Sequence, residues 1–197
     1  MAQSRRDHLI ETALELFDGA GYHATGIDRI LAEAGVAKMT LYKHFKSKNE
    51  LILEALTRQD ERWLAWFREA VERHARNDAD ADADPRARLR AVFHALDDWL
   101  QTPGFNGCLF CKAASEFPDR TDPIHAAAAR HHRSILAFLK DLARDAGARR
   151  PARLARELLL LMEGAISVTQ VNGQVGATRA AARAAEILIE EALRPEG

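Results

Sequence analysis

A chain of 197 residues can bury a real core and hold one or two domains. Its hydrophobic share of 47% and charged share of 29% suit a globular chain. No apolar run approaches the ~20 residues of a membrane span: the longest candidate, Leu158 to Met162, is short and sits among charges. A net charge of −1 excludes a uniformly basic nucleic-acid binder, so any such role has to be local.

The charge is distributed in that way. Lys38, Lys43, Lys46 and Lys48 occur within eleven residues that contain no acid, and Arg5 and Arg6 form a second basic spot. Two small basic patches on a neutral background suit a protein that touches DNA with one face; a solvated lysine-rich loop is the alternative. The first residues lead into an amphipathic stretch carrying Glu11 and Glu15, unlike a secretory leader, and a cytoplasmic location is expected.

Helical spacing dominates and strand alternation never persists. Ile10, Ala13, Leu14 and Phe17 follow the i, i+3, i+4, i+7 pattern, with Leu9 and Leu16 widening the stripe, until Gly19 and Gly21 stop the helix. A second, short helix follows Thr25, with Ile27, Ile30, Leu31 and Ala34 inward; Thr25 and Asp28 read as an acidic variant of the capping box, and Gly35 ends the helix. A third spans about 38 to 45. Ser47 to Glu50 is a capping box that opens a long helix reaching about Ala75. The alternating aspartates from Asn77 to Asp84 read as an exposed loop, with Pro85 as the first residue of a helix to about 101. Further helices are expected over about 108 to 117, 124 to 146, 152 to 172 and 177 to 193, separated at Pro118 to Pro123, Gly147 and Gly173 to Gly176. The expectation is an all-α chain of nine helices without internal repeat.

Helices two and three are short and joined by Ala34-Gly35-Val36-Ala37, the geometry of a helix-turn-helix whose second helix enters the major groove. Gly21-Tyr22, Thr25, Ile27, Ile30, Ala34-Gly35-Val36, Thr40-Leu41-Tyr42, His44-Phe45 and Lys48 to Leu51 resemble the N-terminal pattern of the TetR family at matching spacings. The resemblance covers about residues 5 to 55; beyond it, length and helix count agree, and Gly107-Cys108-Leu109-Phe110 and Glu116 look like one group of the family. Two departures stand out. Ala37 replaces a frequent Ser or Thr cap of the recognition helix, and Gly26 replaces a frequent hydroxyl that contacts phosphate.

The resemblance implies a DNA-binding domain over 1–50 and a ligand-sensing, dimerising domain over 51–197. Chemistry distributes roles within the first. Lys38, Met39, Thr40 and Lys43 can meet base edges. Thr25, Tyr42, His44, Lys46 and Lys48 are donors suited to phosphate, helped by the amino end of the helix after Ser47. A packed aromatic remains the alternative for Tyr42, and a helix-end cap for His44. Arg5 and Arg6 read either as a minor-groove arm or as solvated charges.

In the second domain, Trp63, Phe67, Phe93, Leu96, Trp99, Phe110 and Phe138 are candidate walls of an effector pocket, or core. Glu116 and Glu163 are the carboxylates to watch there, because an acid in apolar surroundings wants a partner. The last two helices are apolar over much of their circumference, so they pair with a second copy or fill a monomer core. Cys108 and Cys111 share a helix face and read either as a redox or electrophile switch or as two small core thiols. Neither a metal nor a cofactor is expected. The function that follows is a repressor released from a palindromic operator by a small-molecule effector. A thiol-based sensor of the same family is the alternative. An all-α enzyme finds no support, since no phosphate loop, G-x-S-x-G or H-E-x-x-H is present.

Overall fold

A computed structural model describes residues 4–76, 86–173 and 176–194. The alternating-aspartate segment, with Pro85 as a helix start, falls outside them. Among the described residues there are nine helices and no strand: α1 (Arg5–Ala20), α2 (Ile27–Ala34), α3 (Lys38–His44), α4 (Lys48–Arg76), α5 (Ala87–Leu100), α6 (Leu109–Glu116), α7 (Pro123–Asp145), α8 (Pro151–Asn172) and α9 (Ala177–Leu193). The expected helices are all present, with ends that differ by a residue or so.

The helices begin and end for local reasons. Ser4 caps α1 by accepting from the Asp7 amide at 3.1 Å. Ser47 accepts from the Glu50 amide at 3.2 Å while the Glu50 carboxylate takes the Lys46 amide at 2.6 Å, which is the reciprocal logic of a capping box. Gly35 closes α2 in the left-handed region at φ 62°, and the Val36 amide turns back to Leu31 O at 3.2 Å. One expectation fails here. Gly26, not Thr25, is the N-cap of α2, and Thr25 is buried with its hydroxyl turned back to Gly21 O at 2.7 Å and Leu16 O at 3.3 Å.

The chain forms two compact units, Met1–Arg62 with Asn106–His131, and Trp63–Phe105 with His132–Gly197. In the first, α1, α2 and α3 pack on one another. Leu9, Ile10, Ala13 and Phe17 of α1 meet Ile30, Leu41 and Phe45 in a fully buried core, while Ile27 and Leu31 are only half-buried. Four ion pairs bind α1 to α4: Arg6 with Glu54, Arg58 with Asp7, and Arg58 and Arg62 with Glu11 at 3.1 and 2.6 Å. These partners hold the Asp7 and Glu11 carboxyls below their ordinary range, the Ser4 hydroxyl leading for Asp7 and Arg62 for Glu11.

In the second unit, α8 and α9 lie against each other and against α5. Leu154, Leu158, Met162, Ala165 and Ile166 of α8 and Ala181, Ala185 and Ile189 of α9 face inward. The outward faces are mixed. Leu160 is 73% exposed, Val171 78% and Ile187 67%, among exposed Arg153, Arg156 and Gln170 of α8 and Arg179, Arg183, Glu190 and Glu191 of α9.

Candidate nucleic-acid interface

The helix α3 is short, and its seven residues divide cleanly. Leu41 is buried, and Phe45 follows the helix into the same core. Met39 is 81% exposed and Tyr42 45%, with Lys38 and Lys43 also outward and Thr40 and His44 half-buried between. The exposed Met39 thus stands beside cationic and hydroxyl-bearing side chains on one face of the helix. Met39, Thr40, Tyr42, Lys43 and His44 line one open groove together with Arg5.

The two N-terminal arginines separate. Arg6 pairs with Glu54, and its guanidinium lies 5.3 Å from the centroid of the Phe45 ring, so it braces α1 against the recognition unit. Arg5 shares the groove with α3. Lys46 is exposed, whereas Lys48 is half-buried, and burial lowers its ammonium pKa against the opposing pull of Glu116. Ala37 caps α3 without a side-chain bond; its carbonyl instead accepts from the Thr40 amide at 2.8 Å. The Thr25 hydroxyl is already spent on Gly21 O and Leu16 O, which removes Thr25 from the phosphate-contacting set.

The expected sensor residues are divided between the two units. Glu116 has its partners within the first. Its carboxylate accepts from the backbone amides of Tyr22 at 2.9 Å and His23 at 2.5 Å, so it serves the turn between α1 and α2 within the first unit. Phe110 is in that unit too, stacked on His131 with ring centroids 3.7 Å apart, and His131 Nδ1 donates to Asp60 at 2.6 Å. In the second unit Trp63 stacks on Phe67 at 4.7 Å and meets Trp99 edge-on at 5.3 Å, and Phe67 meets Phe138 at 6.1 Å. Phe93 and Leu96 are buried on α5, and Glu163 is 3.4 Å from His132 Nε2. Cys108 is buried as the residue capping α6, and Cys111 is half-buried; the two are not joined as a disulfide. Lys112 and His23, which the sequence did not single out, are drawn into the same cluster as Glu116. An i, i+4 Lys–Glu pair on a short helix was the available signal.

A helix-turn-helix whose second helix presents Lys, Met, Thr and Tyr outward is equipped to enter a major groove. Comparison with known proteins agrees. Residues 9–55 match the family described as bacterial regulatory proteins, tetR family, and residues 85–185 match the tetracyclin repressor-like C-terminal domain. The structure is similar to that of SCO4454, a TetR-family transcriptional regulator from Streptomyces coelicolor, with a TM-score of 0.84 and 30% identity over 96% of each chain. The chain is 23% identical to the HTH-type transcriptional regulator YjdC of Escherichia coli, over 98% of this chain and 97% of that one. It is 39% identical to the HTH-type transcriptional activator FasR of Mycolicibacterium smegmatis over 97 residues, 49% of this chain and 41% of FasR. The chain belongs to the TetR family and is a helix-turn-helix, DNA-binding transcriptional regulator.

Proposed function

We propose that the protein acts as a homodimeric repressor in the cytoplasm, bound to a palindromic operator and released from it by a small-molecule effector. In this reading residues 1–50 bind DNA and residues 51–197 sense the effector and dimerise. The observation that carries it is the outward face of α3, where Met39, Tyr42, Lys43 and Lys38 are exposed beside Arg5 while Leu41 anchors the helix. Lys38, Met39, Thr40 and Lys43 read bases. Arg5, Tyr42, His44, Lys46 and Lys48 hold phosphates. Support for dimerisation comes from the outward apolar residues of α8 and α9, because two recognition helices on one two-fold axis match an inverted repeat. Trp63, Phe67, Trp99 and Phe138 are the aromatic cluster around which an effector would be recognised.

The test is selection of duplexes from a random library by the purified protein, followed by native mass spectrometry for a co-purified small molecule. Enrichment of an inverted repeat, released by whatever compound is found, supports the repressor. A compound that instead tightens binding to the enriched site would contradict the release mechanism.

A thiol-based response remains as a second reading, favoured by the position of Cys108 at the head of the helix that carries Glu116. Cys108→Ser should then bind operator normally and ignore peroxide and quinones. Equal release of both forms by those reagents would leave the two cysteines as core residues.

A further inference from the structure

We infer that Lys112 and Glu116, one turn apart on α6, are positioning residues for DNA recognition: they close the turn between α1 and α2 and thereby set the placement of the helix-turn-helix. The inference rests on the reading that α3 contacts bases. Helix α1 ends at Ala20, and the Gly21 amide closes its last turn on Phe17 O at 2.9 Å. The Asp18 carbonyl and the Tyr22 and His23 amides beyond it are served from α6. Lys112 Nζ donates to Asp18 O at 2.6 Å and lies 3.7 Å from the Asp18 carboxylate, placing a cation at the negative end of the α1 dipole. One turn on, the Glu116 carboxylate accepts from the Tyr22 and His23 amides. The Glu116 carbonyl accepts from His23 Nε2 at 2.8 Å, and the Tyr22 hydroxyl donates to Leu109 O at 3.0 Å at the other end of α6. A cation grips the carbonyl end of the turn and an anion grips the amide end.

The positive φ of the turn requires its glycine. Gly21 has φ 84°, and a Cβ there would stand 2.7 Å from Glu116 Oε1. Beyond Gly21 the chain reaches α2 through Thr25, whose hydroxyl donates to Gly21 O. The turn held by α6 is thus the same turn from which α2 and α3 depart. The aromatic surroundings add stiffness: Tyr22 lies 4.9 Å from Phe17 and 6.1 Å from Phe117, ring to ring.

A slack turn harms the two kinds of DNA contact unequally. Base-edge hydrogen bonds need a donor placed to within a few tenths of an ångström and aligned, whereas phosphate contacts are long-range and forgiving. Loss of the grip should therefore lower sequence discrimination before it lowers general affinity.

The experiment uses the full chain, with Glu116→Gln, Lys112→Met and Lys112→Arg. The probes are the duplex that wild type enriches from a random library and a shuffled duplex of the same length and composition. Glu116→Gln and Lys112→Met should each lower affinity for the enriched duplex about tenfold and leave the shuffled duplex unchanged. Lys112→Arg should bind like wild type, since a guanidinium can donate to Asp18 O. Without DNA, hydrogen exchange at the Tyr22 and His23 amides should accelerate in Glu116→Gln, which reads the grip directly. Faster exchange with undiminished affinity for the enriched duplex would overturn the inference, as would equal weakening on both duplexes. Unchanged exchange would overturn it at its first step. A wild type that enriches no sequence would instead sink the reading of α3, and this inference with it.

Discussion

Thr25 and Glu116 show how a side chain's job is decided by what lies across the fold. A threonine just ahead of a helix ordinarily caps it, yet Gly26 takes that place and the Thr25 hydroxyl turns inward to Gly21 O. Glu116 reads as an acid among apolar residues, but its partners are two backbone amides more than ninety positions earlier. No local pattern reports such a contact. The outward face of α3 was legible, because Leu41 fixes which side of the helix is buried. Three outcomes follow at this scale. Thr25→Val should destabilise by about 1 kcal/mol in urea unfolding, from the lost buried hydrogen bond, without changing affinity for non-specific DNA. Lys43→Ala and Thr40→Ala should relax base preference in competition with single-base variants of the operator. Lys48→Ala should weaken all duplexes alike and reduce the slope of log K against log salt by roughly one. A change in which operator Lys48→Ala selects would show that Lys48 reads bases instead.

Helix boundaries were the most readable feature, since Ser47, Glu50, Gly35 and Gly147 carry stop and start chemistry that needs no tertiary partner. The bracing of α1 by α4 was not readable. Arg58 meets Asp7 and Glu11 from about fifty residues away, and only the packed helices bring them together. This bracing carries a pH dependence. The Asp7 and Glu11 carboxyls titrate below their unfolded values of 3.8 and 4.5. Their contribution is therefore complete above about pH 5 and is lost as pH falls through the lowered folded values. Melting temperature should fall with acidification over that range, and less steeply in Glu11→Gln, which starts lower because the charge is already absent. Equal acid sensitivity of the two proteins would remove Glu11 from the account. Exposed pairs contribute little singly, and Arg58 and Arg62 matter here because they share Glu11.

At the scale of the whole molecule, the apolar circumference of α8 and α9 gave the sequence two readings, core or interface; the inward residues form the protomer's core, and the exposed Leu160, Val171 and Ile187 leave the interface as the proposal. Ile166 is 5% exposed and belongs to the protomer's own core, so a charge there should unfold the unit. Val171 and Ile187 point outward. Val171→Glu and Ile187→Glu should yield folded monomers with unchanged helical content and lost operator affinity, read by sedimentation velocity and circular dichroism. A wild type that remains monomeric at micromolar concentration would contradict the dimer. Phe67→Ala, inside the aromatic cluster of the second unit, should cost roughly 3–5 kcal/mol.

The most direct test of the central claim, that α3 reads DNA bases from a two-fold protein, is selection from a random duplex library by wild type and by the Thr40→Ala, Lys43→Ala double variant in parallel. Wild type should enrich an inverted repeat whose half-site centres lie about one helical turn, ~34 Å, or a multiple of it apart. The double variant should keep that spacing and lose base preference at the inner positions of each half-site. A wild-type pool without an inverted repeat, or identical sequences enriched by both proteins, would contradict it.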